Sequence, residues 1–401
     1  MFPDEAIDQY RNLCIAALPE KEKEINEFFD EEEFPSFDSI DALDGGNLYP
    51  KLKSGLNASS SAEILLAMLV PSSSQLAFLK SDTTWSKDLS AFAKKTLKIR
   101  LRKQKFESVS EELWNVVLFS EFVHDLPADL PAQLKDVPKA HIESRELIQS
   151  VCSQLRKRKD VEDQYVQQAK RISKELSLAQ LFASESDLGQ INTFAFEDTT
   201  FFHAFKDEFV AGNLEKAQAF LNQSIDSIWS TYDDERRATW LIGKQALSIK
   251  RLTQSYASRL RDFPDLNAIV NWYANEVHEL DTLHRELGKS VAELISLSPA
   301  LKEVYKLAVD AYLHFTETLQ KAFIDGVEKD GLGSLAIQRN IDLFDKKVDP
   351  IVKSGKKTVY FLADALRYEL ACQLKLRLER ASFDAELEPC LAFTPTVTKY
   401  A

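Results

Sequence analysis

The chain is short of the residues that make tight turns. It has 11 glycines and 13 prolines in 401 residues, so a mostly helical protein is expected rather than a turn-rich β fold. Its four cysteines, Cys14, Cys152, Cys372 and Cys390, show no C-x-x-C spacing, which excludes a structural zinc motif and a disulfide framework. Each is expected to pack as a small apolar side chain. No uninterrupted apolar run approaches the roughly 18 residues of a membrane span, and Met1-Phe-Pro-Asp-Glu-Ala lacks the basic and apolar regions of a secretory signal. A cytoplasmic protein without membrane association is expected. Positive charge is in deficit: the formal net charge of −13 disfavours binding nucleic acid over the whole surface and leaves local basic patches open. None of the six histidines, at 124, 141, 203, 278, 284 and 314, lies in an H-E-x-x-H motif. His278 and His284 fall on different faces of a helix, so hydrogen-bonded or exposed roles are expected for all six.

What is present is ordinary for a folded protein, 44% apolar and 28% charged residues, with length enough for two or three domains. Helical spacing runs from Glu5 to Glu33, with Ile7, Tyr10, Cys14 and Ala17 on one stripe and the acidic run Asp30 to Glu33 at its end. Residues 35–61 read as loop, and Ser61 signals a helix over Ala62 to Val70. Leu97 to Lys105 alternates apolar and basic residues; an edge element with Leu97, Ile99 and Leu101 inward and Lys98, Arg100 and Arg102 outward is expected, with contact to a phosphate backbone as the alternative. Arg156-Lys-Arg-Lys159 reads as a helix end whose cations complement the dipole.

From Ser110 to Lys329 the pattern is helical almost throughout, with Leu113, Trp114, Val117 and Leu118 in one helix, Ile225, Ile228 and Trp229 in another, and Trp272, Tyr273 and Leu280 beyond. The prolines of Asp125-Leu-Pro-Ala-Asp-Leu-Pro131 predict a rigid extended connector. Asp330-Gly-Leu-Gly-Ser334 introduces one more helix through Phe344, and Asp349-Pro350 closes the helical region. No fixed repeat supports a solenoid. The charged stretch Asp281-Thr-Leu-His-Arg285 reads as a solvated helix face.

The last segment, Gly355 to Ala401, reads as strand, helix, strand. Val359 to Ala363 is apolar on both faces, as in a strand buried inside a parallel sheet, and it stops on Asp364. The helix Leu366 to Arg380 carries the stripe Leu366, Leu370, Leu374 and Leu378 against that sheet. The second strand, Ala385 to Phe393, runs into Thr394-Pro-Thr-Val-Thr398. Both strands thus deliver chemistry to the edge where ligands bind in open α/β folds. For Asp364 several readings stand together: helix cap, phosphoacceptor of a receiver-like domain, or metal ligand. A threonine hydroxyl needs a base or a metal to become a nucleophile; the bland reading is a threonine-rich turn before a helix, whose N-terminus would itself attract phosphate.

At these residues the chain resembles the PglZ family, a branch of the alkaline phosphatase superfamily found in bacterial phage-defence loci of the BREX type. Asp364-Ala-Leu-Arg-Tyr-Glu369 is similar to its D-A-L-R-Y-E signature, and Pro395-Thr-Val-Thr-Lys-Tyr400 to its P-[ST]-x-T motif. Upstream, Leu118-Phe-Ser-Glu-Phe-Val-His-Asp-Leu-Pro127 and Asn192-Thr-Phe-Ala-Phe-Glu197 resemble stretches of type A members. The resemblance implies a mostly α fold: a helical region 1–109, a central helical region 110–354, and at 355–401 the first βαβ unit of an α/β alkaline-phosphatase-like domain, truncated. It implies a metal-dependent phosphatase or phosphodiesterase, a nuclease included. Asp364 would be a metal ligand, and Thr398 nucleophile and metal ligand. Arg367 and Lys399 would assist the substrate phosphate, and the two-metal site would take zinc or manganese. The remaining ligands are expected beyond Ala401, so this chain alone is expected to be inactive. Other BREX-system proteins are the implied partners, with nucleic acid a further candidate; the alternative is a helical interaction module without catalysis in this chain.

Overall fold

The computed structural model describes residues 4–18, 21–31, 35, 40, 49–81, 83–260, 263–363 and 366–392. The chain divides into two units, Met1–Phe201 and Phe202–Ala401. Among the described residues no single helix is long and apolar enough to cross a membrane.

In the first unit, the helix expected from Glu5 to Glu33 is two, Asp4–Ala17 and Glu22–Glu31. The sequence explains the break, because Pro19 cannot donate the helical hydrogen bond and disfavours a helical Leu18. The pair shares a small core of Cys14, Ile25, Phe29 and Ile40. The segment expected to be loop contains the Pro50–Leu56 helix, which buries Leu52 and Leu56 and places proline in its first turn, where a missing N–H is harmless. The next helix, Ser61–Leu69, begins one residue earlier than expected. Its cap is Ser60, whose hydroxyl accepts from the Glu63 amide at 3.2 Å, while the Glu63 carboxylate accepts from the Ser59 amide at 2.7 Å.

The centre of this unit is the Phe106–Asp125 helix, buried on nearly every side from Leu113 to Phe122. A helix apolar all round belongs inside, and Ser61–Leu69, Arg145–Lys157 and Glu162–Glu175 pack around it. Residues 126–131 carry no helix, in keeping with the proline-rich connector. The two upstream stretches singled out from the sequence, 118–127 and 192–197, meet here. Phe122 packs edge-on against Phe194 and Phe196, the Thr193 hydroxyl donates to Glu121 at 2.9 Å, and the Asp125 carboxylate accepts from the amides of Gln190 and Ile191 at 2.5 and 2.6 Å.

The two basic segments fare differently. Leu97 to Lys105 is not a strand: it follows a π-helical turn, Ala93–Leu97, and continues without regular structure, although Leu97 is buried and Lys98, Arg100 and Arg102 are exposed. The amides of Arg102 and Lys103 donate to the Glu112 carboxylate instead of to a neighbouring strand. Arg156-Lys-Arg-Lys159 does lie at a helix end, with Arg156 and Lys157 in the last turn of Arg145–Lys157, but Arg156 is not on the surface. It turns inward and forms a two-pronged ion pair with buried Glu121, at 2.6 and 2.9 Å.

The second unit is built on three helices. Asp234–Arg259 packs along Pro299–Asp330 and His278–Ala292. Phe202 and Phe205 close on Trp240 at 5.1 and 5.7 Å between ring centres, an approach that Gly243 permits, since a Cβ there would lie 3.2 Å from the Phe205 ring. Tyr256, Trp272 and Phe315 form a second aromatic cluster. Pro299 opens the longest of these helices behind the Ser298 cap, which accepts from the Leu301 amide. Ile225 and Trp229 do not share a helix: Ile225 ends Leu214–Ser224 and Trp229 lies in Ile228–Tyr232.

After Asp330 the structure departs further from expectation. The helix predicted through Phe344 is replaced by 3-10 turns, a two-residue strand, Gln338–Arg339, and a π turn, Phe344–Val348. Asp349-Pro350 opens a short helix, Asp349–Lys353, rather than ending one. The parallel pairing is present, and it joins Gln338–Arg339 to Cys390–Leu391. Residues 356–363 have no regular structure, and Phe361 and Leu362 are 85% and 84% exposed. An apolar run becomes a buried strand only when strands flank it and helices cover it; among the described residues the sheet has two strands, and neither lies in this run. Cys14 and Cys152 are buried as expected, whereas Cys390 is exposed.

Candidate functional site

The helix after Asp364 begins at Tyr368, not Leu366, and runs to Arg380 with Arg367 at the cap position. Its leucine stripe does not face a sheet, since Leu366 and Leu374 are exposed. It docks on His278–Ala292 through a different face. Gln373 accepts from Arg285 at 2.6 Å and donates to Glu286 at 3.3 Å, and the Tyr368 ring meets His278 edge-on at 5.3 Å. Glu369 is fully buried, with the guanidinium of Arg367 at 2.7 Å from its Oε1. That contact is close but poorly aligned, since Oε1 receives no hydrogen bond of good geometry. Arg367 itself stays mostly exposed.

Asp364, Thr398 and Lys399, with Thr394 and Thr396, lie outside the described residues. Of the residues expected to serve the phosphoryl site, the structure therefore places Arg367 alone. Among the described residues no group of three or more His, Cys, Asp and Glu stands close enough to hold a metal ion.

The segments flanking those positions converge on a cleft of ≈440 Å³, lined among others by Tyr273, Val277, Asp281, Tyr312, Phe323, Tyr368 and Leu391. Its polar centre is Asp281. Tyr273 donates to one carboxylate oxygen at 2.5 Å and Tyr312 to the other at 2.8 Å. Burial, and then the adjacent Asp281 carboxylate, push both tyrosine hydroxyls far above their ordinary range, so both remain donors. His284 stacks on Tyr312 with ring centres 3.8 Å apart, and burial holds its imidazole below its usual pKa. His278 faces the Tyr273 carbonyl at 3.3 Å, and His124 the Ala140 carbonyl at 3.0 Å.

This centre escaped sequence reasoning, which assigned Asp281 to a solvated face. Eight residues separate Tyr273 from Asp281, which in a regular helix sets them about 80° apart. The chain instead takes a π-helical turn over Tyr273–Val277, between Leu266–Trp272 and His278–Ala292. The turn absorbs one residue, so the pair behaves as about seven apart and falls on one face. No periodicity in the sequence announces such a turn. Tyr312 comes from a different helix altogether.

With the C-terminal unit described, its class can be stated: residues 343–401 match an alkaline phosphatase-like domain. The matching family is that of the BREX system PglZ alkaline phosphatase-like domain, and the match covers residues 343–401. The match supports the resemblance drawn from D-A-L-R-Y-E and P-T-V-T and lies downstream of residues 118–127 and 192–197. No curated protein and no solved structure matches the chain.

Proposed function

We propose that the C-terminal segment belongs to a metal-dependent phosphohydrolase of a BREX phage-defence system, a phosphatase or phosphodiesterase for which a nucleic-acid backbone is a candidate substrate. One observation carries this: the matched segment, 343–401, contains both the acid Asp364 and the hydroxyl Thr398. In this reading Thr398 supplies the attacking oxygen and a metal oxygen ligand, and Asp364 a metal carboxylate. Arg367, exposed at the cap of Tyr368–Arg380, and Lys399 neutralise the substrate phosphate. Zinc or manganese in a two-metal site would supply the lowered hydroxyl pKa and the charge neutralisation that phosphoryl transfer needs. Asp364 and Thr398 are two ligands and a catalytic zinc takes three from protein, so further residues complete the set. The setting is cytoplasmic. The test is hydrolysis of bis(p-nitrophenyl) phosphate by protein carrying the alkaline phosphatase-like domain, with added zinc or manganese. Thr398→Ala should abolish turnover; unchanged turnover would reject Thr398 as nucleophile.

A second reading has its own observation. The helices through Asp330 bury extensive apolar surface, while the apolar side chains of 359–362 stay exposed. This favours the helical part as a packed interaction module for other BREX-system proteins. Capture of such a protein by the Thr398→Ala chain would support a docking role independent of catalysis, and absence of capture by the parent chain would count against it.

A further inference from the structure

The cleft around Asp281 has walls and a centre of different character. The rings of Tyr273, Tyr368 and Phe323 and the aliphatic side chains of Val277 and Leu391 supply apolar surface, and among the described residues no lysine or arginine lines it. The lining itself therefore offers a phosphate a carboxylate rather than a cation, and the nearby Arg367 guanidinium stands outside the lining. The Asp281 carboxylate is an acceptor with about four lone-pair positions, of which the two tyrosine hydroxyls use two. What remains invites a flat apolar group that carries N–H donors. Size agrees, since ≈440 Å³ lies in the range of about 300–1,000 Å³ typical of small-ligand sites.

The cleft's place in the chain narrows the choice. Tyr368 stands four residues after Asp364, and Leu391 seven residues before Thr398, separations that chain length bounds at about 14 and 25 Å. A π-helical turn, a feature that recurs at functional sites, supplies Tyr273 and Val277 to the same wall.

We propose that this cleft is a nucleobase subsite: an amino-bearing base stacks on its aromatic wall and donates its exocyclic N–H to Asp281, leaving the attached phosphate outside. The proposal rests on the phosphohydrolase reading and deepens it, assigning a nucleotide unit as substrate class. Base stacking on aromatic side chains is a recurrent means of holding single-stranded nucleic acid. The two tyrosine hydrogen bonds anchor Asp281 in the lining of the cleft.

The test is calorimetric titration of the full chain with adenosine 5′-monophosphate, uridine 5′-monophosphate and ribose 5-phosphate. A short oligo-deoxyadenylate and its abasic counterpart separate a strand from a free nucleotide as the source of the base. Expected are binding of adenosine monophosphate, at least about tenfold weaker binding of ribose 5-phosphate, and weaker binding of the uridine nucleotide, which lacks the amino group. Asp281→Asn should weaken adenosine monophosphate at least about tenfold. Phe323→Ala should do so without touching the hydrogen bonds to Tyr273 and Tyr312, which covers the case in which Asp281→Asn fails to fold. Absence of binding by the parent chain, equal binding of ribose 5-phosphate, or unchanged affinity in the Phe323 variant would overturn the proposal. Hydrolysis of bis(p-nitrophenyl) phosphate, which has no base, scores the phosphohydrolase reading separately.

Discussion

Arg156 and Glu121, 35 residues apart in sequence, form a bidentate ion pair in the interior of the first unit, with Nη1–Oε2 and Nη2–Oε1 distances of 2.6 and 2.9 Å. Tyr165 accepts from the same guanidinium at 3.0 Å and donates a hydrogen bond to the Thr193 carbonyl at 3.2 Å. A paired and hydrogen-bonded charge can stay buried; an orphaned one cannot. Arg156→Met should therefore destabilise the unit by about 3–5 kcal/mol, because it leaves Glu121 buried without its partner. Chemical denaturation checks this, and adding Glu121→Gln should recover part of the loss. A loss below about 1 kcal/mol would mean that the pair is not buried as described.

Glu197 makes stability depend on pH. Burial pushes its carboxyl well above the ordinary 4.5; the Phe194 amide opposes the shift, and Glu121 and Asp125 add to it. With the folded-state value above the unfolded one, the contribution is fully present below about 4.5 and is lost as pH rises through the raised value. Glu197→Gln keeps an acceptor for Phe194 and cannot ionise. It should flatten the stability profile above pH 4.5 and leave the variant more stable than the parent at pH 8, as read from melting temperatures across pH 4 to 8.

Gly189 holds a backbone φ of +90°, and a Cβ there would lie 2.5 Å from the Asp125 carbonyl oxygen. The clash is with backbone, and it falls where Asp125 gathers the Gln190 and Ile191 amides. Gly189→Ala should cost about 1–3 kcal/mol. Gly212, also at positive φ, has nothing within 4 Å, so Gly212→Ala should cost less. Equal losses in the two variants would contradict the packing of Asp125 against Gly189.

The exposed run 359–362 should be the first target of limited chymotrypsin digestion. Tyr360, Phe361 and Leu362 lie outside regular structure and are exposed, whereas the aromatic residues of Asp234–Arg259 are protected by packing. N-terminal sequencing of the first fragments checks it; initial cuts inside that helix would count against the exposure described.

If the phosphohydrolase reading holds, chelation of divalent metal should remove phosphodiester hydrolysis by protein with this domain, and zinc or manganese should restore it. Asp364→Asn should lower the restored rate by at least about a hundredfold, as expected when a metal carboxylate is replaced. Activity unaffected by chelation would remove the metal from the proposal.

Much of the helical architecture was legible because its causes are local. The stripe through Leu113, Trp114, Val117 and Leu118, the connector 126–131, and the break after Asp330 all follow from periodicity or from proline and glycine. The failures share another cause. Arg156 ends a helix as its position suggests, but nothing in its neighbourhood reveals that Glu121 on another helix draws it inward. Asp281 looked solvated because a π turn changed the register and Tyr312 arrived from far along the chain. The apolar run 359–363 carries the pattern of a strand, but that pattern specifies burial, and burial needs flanking strands.

By itself, then, the sequence determined a predominantly helical chain and the chemical types at its C-terminal end, where D-A-L-R-Y-E and P-T-V-T mark the PglZ segment. Residue type and short-range spacing suffice for both. Tertiary structure alone decided which charges are buried, which face of Tyr368–Arg380 docks, and how Tyr273, Asp281 and Tyr312 meet in one cleft. Those outcomes depend on contacts between residues 8 to 88 positions apart, and no local pattern encodes a partner that only folding brings near.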